Sequence, residues 1–265
     1  RDGPGAAVAG LGAIRDSRLA VHRPQFGEPK SAAAPDVGGP HCEAARRETA
    51  GYGTRMKSNL PKVLHPMLGR PMIEWVLAAV QGAVDLPPVV VVGHGKEEVQ
   101  AALGSRALYA EQAQLLGTGH AVQQTAAVLQ DKADAVAVIN GDLPLLRPET
   151  ISRLAALFAE QSPISHPAVA LLTVTRDDPQ GFGRIARAAD GAVCGIVEEA
   201  DCTPEQRTIR ELNVGVYCFD AAWLWTNLPN LPLSAKGEYY LTDLIAMAVA
   251  QGRAIVTAAA APEEV

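Results

Sequence analysis

A chain of 265 residues that is 48% hydrophobic and 20% charged has enough apolar content to bury the core of one large α/β domain or two small ones, which argues against a disordered polymer. Its formal net charge of −6 gives no general attraction for nucleic acid, while leaving room for a local basic site that takes an anionic substrate. No apolar run approaches the ~20 residues needed to cross a bilayer, and "AAVAGLGAI" near the N-terminus is too short and weakly apolar for a secretory signal, so a cytoplasmic protein with no membrane partner is expected.

Residues 1–48 are rich in Ala, Gly, Pro and Arg and show no sustained strand or helix period. They read as an atypical segment, either disordered or foreign to the rest of the chain, in which "AAVAGLGAI" reads as a weak strand. Its "GLGAIR" faintly resembles a dinucleotide loop, but no strand–helix–strand pattern follows. Order begins at Gly51. In "GYGTRM", Gly51 and Gly53 let the backbone approach a polyphosphate without a Cβ in the way, and Arg55 adds a forked cation suited to phosphate. Pro61 stiffens the chain next to a second cation, Lys62. On these residues alone two readings stay open: a phosphate loop that stabilises charge in phosphoryl transfer, or a surface turn with solvated charges.

Pro71 then opens a helix, "PMIEWVLAAVQGA", with Ile73, Val76, Leu77 and Val80 on one face. "PPVVVVGHG" reads as a buried strand, "KEEVQAAL" as a short helix, and "GTGHAVQQTAAVLQ" as a helix entered through glycines. "ADAVAVINGD" is a buried strand ending at Asp142, and "RPETISRLAALFAEQ" is a helix with Ile151, Leu154, Ala155 and Phe158 on one side. "AVALLTVT", "AVCGIVEEAD" and "NVGVYCFD" are strands joined by polar loops. "GEYYLTDLIAMAVAQG" reads as a helix with Leu241, Leu244, Ile245 and Ala248 on one face, and "RAIVTAAAA" as the last strand. This alternation predicts an α/β fold with a Rossmann-like, mostly parallel sheet and helices on both faces.

Three further places carry chemistry. Asp142, with Asn140 and Gly141 in "INGD", ends a strand where open sheets bind ligands, and is placed to hold Mg²⁺ or to cap the turn before Pro144. Gln112 offers both a donor and an acceptor to the edge of a base, and Gly117, Thr118 and Gly119 open a helix close by. Gly183 in "GFGR", Glu198 in "IVEEAD" and Asn213 in "ELNVG" supply groups that suit sugar hydroxyls and an acetamido group. His120 reads as structural, since phosphoryl transfer from an ionised phosphate nucleophile needs no base, and His65 and His94, with no partner at motif spacing, read as structural too. The four cysteines, Cys42, Cys194, Cys202 and Cys218, form no CxxC pair and no zinc spacing, and read as reduced structural thiols.

Taken together, "GYGTRMKSNLPKVLHP", "LLGTGHAVQQ", "NGDLPLL", "DDPQGFGRI", "GIVEEAD", "ELNVGVY" and "GEYYLTDLI" resemble, in order and approximate spacing, the N-acetylglucosamine-1-phosphate uridyltransferase domain of the bacterial bifunctional uridyltransferase/acetyltransferase. The resemblance covers residues from about 50 to 265. It implies a nucleotide-diphospho-sugar transferase fold over residues 49–265 and transfer of UMP from UTP to N-acetylglucosamine 1-phosphate with Mg²⁺ as cofactor. By motif position, Arg55 stabilises developing charge and Lys62 contacts phosphate. Gln112, Gly117 and Thr118 hold the uracil, Asp142 binds Mg²⁺, and Gly183, Glu198 and Asn213 line the sugar pocket. Ala50, Gly51, Asn140 and Gly141 complete the substrate-binding set.

Two departures from the family pattern bear on this. The family loop follows a buried apolar strand, and here Arg46, Arg47 and Glu48 stand in its place. Burying those charges unpaired is costly, so the first core strand is expected to be missing or replaced by another segment such as "AAVAGLGAI". The family also continues beyond "APEEV" to an Asn that shares the metal, and to a β-helix domain through which the parent enzyme forms a homotrimer. The alternative to an active uridyltransferase domain is accordingly an inactive or weakly nucleotide-binding fragment of that enzyme.

Overall fold

The strands Val89–Val92 and Ala135–Ile139 are unbroken apolar runs because both of their faces are covered. The computed structural model describes residues 12–14, 58, 60–84, 86–93, 95–159 and 167–265. In chain order its strands are β1 (Gly12–Ile14), β2 (Pro66–Met67), β3 (Arg70–Pro71), β4 (Val89–Val92), β5 (Leu108–Glu111), β6 (Ala135–Ile139), β7 (Val169–Thr175), β8 (Arg184–Arg187), β9 (Val193–Val197), β10 (Glu211–Asp220) and β11 (Ile255–Ala259). Its α-helices are α1 (Met72–Ala83), α2 (Lys96–Leu103), α3 (Thr118–Gln123), α4 (Ala126–Leu129), α5 (Pro148–Ala159), α6 (Ala221–Asn227) and α7 (Asp243–Ala250).

The main sheet runs β1-β6-β10-β7-β11, with β8 and β9 carried on β10. β6 and β7 both pair antiparallel with β10, and β11 pairs parallel with β7. β6, β7 and β11 therefore point one way, as a Rossmann-like sheet requires, and β10 is the long strand that runs against them. β4 and β5 form a parallel pair. Alternate residues of β4 and β6 feed two separate cores, Val90, Val92, Ala137 and Ile139 one of them, and Val89, Val91, Val136 and Val138 the other. That period of two places β4 and β6 in one layer. Helices α1, α2 and α5 cover the first face, and α3, α4, α6 and α7 the second. The fold is α/β with helices on both faces.

The helical period was the reliable signal. Ile73, Val76, Leu77 and Val80 of α1 are all 2% exposed or less, and each contributes roughly 1.5–3 kcal/mol by leaving water. Pro71 closes β3, and α1 starts one residue later. The first turn of α5 is capped from the far end of the chain. The buried Glu264 accepts from Arg147 N at 3.2 Å and from Thr150 Oγ1 at 3.0 Å, which suits a carboxylate at a helix N-terminus. Arg187 forks onto Glu211 at 2.6 and 2.7 Å, tying β8 to β10. Cys202 and Cys218 are buried and Cys194 is exposed, and burial pushes the Cys218 thiol up to about 12.

Two expected helices differ. "GTGHAVQQTAAVLQ" breaks at Gln124–Thr125 into α3 and α4. "GEYYLTDLIAMAVAQG" is helical only from Asp243. The residues before it are committed elsewhere: Tyr239 N donates to Leu116 O and Tyr239 O accepts from Gly119 N, both at 2.8 Å. Backbone groups engaged with another loop cannot also close helical turns.

The residues leading into Gly51 lie outside the described set, and so does the expectation of a missing strand there. On the side of β6 away from β10, the structure places β1 antiparallel, with Gly12 opposite Ala137 and Ile14 opposite Ala135. β1 falls within "AAVAGLGAI".

Candidate functional site

Ala50, Gly51 and Arg55 lie outside the described residues. The cationic arm that follows them is fixed at several points. Pro61 and Val63 are buried, and Leu64 is 8% exposed. Pro61 packs so closely on the loop after β4 that a Cβ on Gly95 would stand 2.5 Å from its Cγ. Between these anchors the side chain of Lys62 points outward, and its Nζ donates to Asp142 Oδ2 at 2.8 Å. Asp142 stands in the turn just past β6 with Gly141, as a carboxyl-end ligand requires. Two groups 80 residues apart, one expected to meet phosphate and one to meet metal, are thus in contact.

Gln112 follows β5 and is 3% exposed. Its Nε2 donates to Gly117 O at 3.0 Å. Gly117 (φ +93°) and Gly119 lie flat against the 238–241 segment, and a Cβ on Gly117 would stand 2.6 Å from Tyr239 O. Leu241 N donates to Thr118 Oγ1 at 2.9 Å. The glycines of this loop are thus packed against the backbone of this neighbouring segment.

The sugar-side residues also converge. Asn213 N on β10 donates to Gly183 O at 2.9 Å. A Cβ on Gly183 would meet Ile196 of β9 at 3.1 Å, two residues before Glu198. The loop before Gly183 is clamped, since Gly181 N donates to Glu199 Oε2 at 2.7 Å. The buried Arg184 donates to Phe182 O and lies 3.6 Å from Glu199 Oε1. Glu198 accepts from Thr242 Oγ1 at 3.2 Å. Asn213 Nδ2 donates to the Tyr217 hydroxyl at 2.8 Å. Gly215, at φ +81°, bends β10 so that its backbone lies against the Asn140 amide, and Gly215 N donates to Asn213 Oδ1 at 3.1 Å.

One extended segment joins the two halves. Tyr239 and Leu241 bond to the Leu116–Gly119 loop, and the next residue, Thr242, bonds to Glu198. Thr242, Tyr217 and Tyr239 were not singled out from the sequence. A glycine inside a strand, here Gly215, was the available sign that β10 bends toward another group.

Burial pushes the Glu198 carboxyl above its ordinary 4.5; Asp201 and Asp243 add to this, while Thr242 and Lys236 oppose it. A raised acid binds more protons folded than unfolded, so stability falls as pH rises from 4.5 through the raised value. Glu198→Gln is expected to be more stable than the parent near neutral pH. The gap should close below about pH 4.5, as read from urea midpoints on either side of that value. A gap independent of pH would contradict the assignment.

Among the described residues, no group of three or more His, Cys, Asp or Glu is placed to hold a metal. Asp142 offers a single carboxylate, the kind of hard oxygen donor that Mg²⁺ would take. No described helix is long and apolar enough to cross a membrane.

Comparisons with known proteins bear on what these residues serve. The bifunctional protein GlmU of Heliobacterium modesticaldum (strain ATCC 51547 / Ice1) is 46% identical over 217 residues, 82% of this chain and 46% of that protein. The protein of the same name from Desulfitobacterium hafniense (strain DSM 10664 / DCB-2) is 44% identical over 220 residues, 82% of this chain and 47% of its own. The chain thus spans about half the length of the curated relatives it matches. A solved UDP-glucose pyrophosphorylase complexed with UDP-glucose is similar with a TM-score of 0.61 at 19% identity, over 78% of this chain and 86% of that one. A CMP:2-keto-3-deoxy-manno-octonic acid synthetase complexed with CTP is similar with a TM-score of 0.56 at 22% identity, over 77% and 85%. At such identities these structures share the fold. A family model for the MobA-like NTP transferase domain matches residues 49–192, a span that runs from the glycine loop through Gln112, Asp142 and Gly183, and the chain belongs to that family.

Proposed function

We propose that this chain transfers UMP from UTP to N-acetylglucosamine 1-phosphate, releasing pyrophosphate and forming UDP-N-acetylglucosamine. The observation that carries the reading is the 239–242 segment. It ties the Gln112–Gly117–Thr118 group, suited to a base, to the Glu198–Asn213 group, suited to an amido sugar, with Lys62 and Asp142 at the same carboxyl-end rim of the sheet. The resemblance to the GlmU uridyltransferase domain and the 46% identity to one such relative support it.

The reaction follows from the charges. An oxygen of the sugar phosphate attacks the α-phosphorus, a new P–O bond forms, the α–β bond breaks, and its electrons leave with pyrophosphate. The nucleophile is already ionised, so no side chain takes its proton. Lys62 leaves Asp142 for phosphate and, with Arg55, offsets the charge that grows on the oxygens. Asp142, with Asn140 and Gly141 beside it, holds the metal side of the triphosphate, and Ala50 and Gly51 offer backbone amides to it. Asp142 would hold Mg²⁺, which when bound would neutralise charge on the phosphates. Gly183, Glu198 and Asn213 orient the sugar. The product is a precursor for peptidoglycan and lipopolysaccharide, and its synthesis belongs in the cytoplasm.

The test is pyrophosphate release with Mg²⁺, UTP and N-acetylglucosamine 1-phosphate, run beside glucose 1-phosphate and dTTP as competitors. Turnover selective for the first pair is expected. Equal use of glucose 1-phosphate or dTTP would reassign the substrate, and no turnover by folded chain would leave a nucleotide-binding domain without the activity.

A further inference from the structure

His120 decides which end of the Gln112 amide meets the ligand; this rests on the preceding reading that Gln112 contacts the base. Gln112 lines an open cavity of about 430 Å³ beyond β4 and β5, together with Gly93, Gly95, Lys96, Glu111 and Leu115. Its Nε2 lies 3.0 Å from both Gly117 O and His120 Nδ1. On the other side of the ring, Gln124 Nε2 lies 3.1 Å from His120 Nε2 and donates to the carbonyl of His120 at 3.0 Å.

An uncharged imidazole has one N–H and one lone pair, so it accepts from one of these amides and not from both. A charged ring, with N–H at both positions, would oppose both. One glutamine must therefore present its oxygen to the ring. Turning Gln112 would set its Oε1 against Gly117 O, two acceptors facing each other on a side chain that is 3% exposed. Turning Gln124 likewise sets its Oε1 near a carbonyl, that of His120, but on a half-buried side chain that can move off it and leave that carbonyl to water. Gln124 is the one that yields. His120 Nε2–H then donates to Gln124, and Nδ1 accepts from Gln112.

Both N–H groups of the Gln112 amide are thereby engaged, and Oε1 is the polar group left for a ligand. Among the described residues no donor is bonded to it. We propose that His120 is a specificity-positioning residue: by accepting through Nδ1 it holds Gln112 Oε1 as an acceptor, which the N3–H of uracil satisfies and the N3 lone pair of cytosine opposes.

The test is equilibrium dialysis of UTP and CTP, with Mg²⁺, against the 265-residue chain, His120→Leu and His120→Asn, whose side-chain oxygen overlays Nδ1. The parent is expected to prefer UTP. His120→Leu should lose about tenfold of that preference, and His120→Asn should restore most of it. A reading independent of variant folding comes from long-range ¹H–¹⁵N correlation of the His120 ring in the parent, where Nε2 should carry the proton and Nδ1 should be bare. A protonated Nδ1, or a folded His120→Leu with the parent's preference, overturns this inference alone. A parent that binds neither nucleotide, or prefers CTP, overturns the reading of the base site and this inference with it.

Discussion

Asp142→Asn is expected to slow pyrophosphate release by on the order of 100- to 1,000-fold, the range for losing one preorganised group that stabilises the transition state, while leaving the melting temperature nearly unchanged. The separation of the two effects follows from exposure. The Lys62–Asp142 ion pair joins side chains that are 42% and 38% exposed, and pairs in that setting stabilise a fold by about 0–1 kcal/mol. Lys62→Ala should behave alike, because its neighbours Pro61, Val63 and Leu64 carry the packing. A single-turnover assay beside a thermal melt reads both quantities. A variant that loses several degrees without losing turnover would make the pair a structural tie.

Gly117→Ala should fail for the opposite reason. Its backbone, at φ +93° and ψ 178°, lies in a region reserved in practice for glycine, with a penalty of roughly 1–3 kcal/mol for a side chain. The added methyl would also stand 2.6 Å from Tyr239 O and 2.9 Å from Tyr239 N. The two backbone bonds that join Tyr239 to the loop would have to open, each worth about 1 kcal/mol. A total of about 3–5 kcal/mol corresponds to a fall of about 6–20 °C for a chain of this size, with UTP affinity lost as well. Gly252→Ala is the control. It too has a positive φ, +64°, but nothing lies within 4 Å of its added Cβ, so a small loss of stability and full activity are expected. Equal losses in the two variants would mean that contact with Tyr239 is irrelevant.

The parts of the fold that were legible are those where one force dominates. α1 and α5 are long, with unbroken apolar faces, and β4 and β6 are continuous apolar runs because helices cover both sides. β5 and β8 were not read from the sequence. Each has four residues, and the mixed exposure of Leu108–Glu111 gives neither alternation nor a continuous run. The extra helical turns assigned to "GEYYLT" show a local preference overridden by a distant partner, since the loop at Leu116–Gly119 takes the backbone bonds that a helix would need. The sugar side of the candidate site gained its specificity only through resemblance. Glu198 and Asn213 are single polar residues among many, and nothing in their spacing shows that Thr242 and Tyr217 hold them. Lys62 and Asp142 could be named from their loops, but their contact is a property of the fold.

The position of β10 has a consequence for how the protein is made. β6 and β7 are not neighbours in the sheet, because β10 lies between them and bonds to both. A nascent chain that has emerged only as far as β9 therefore has β6 and β7 but not the strand that joins them. The inner edges of β6 and β7, each bounded by apolar side chains, remain open until Glu211–Asp220 leaves the ribosome. Open apolar edges are where partly made chains aggregate. Ribosomes halted before residue 211 should therefore carry a chain that holdase chaperones retain, and release from them should coincide with synthesis of a single strand.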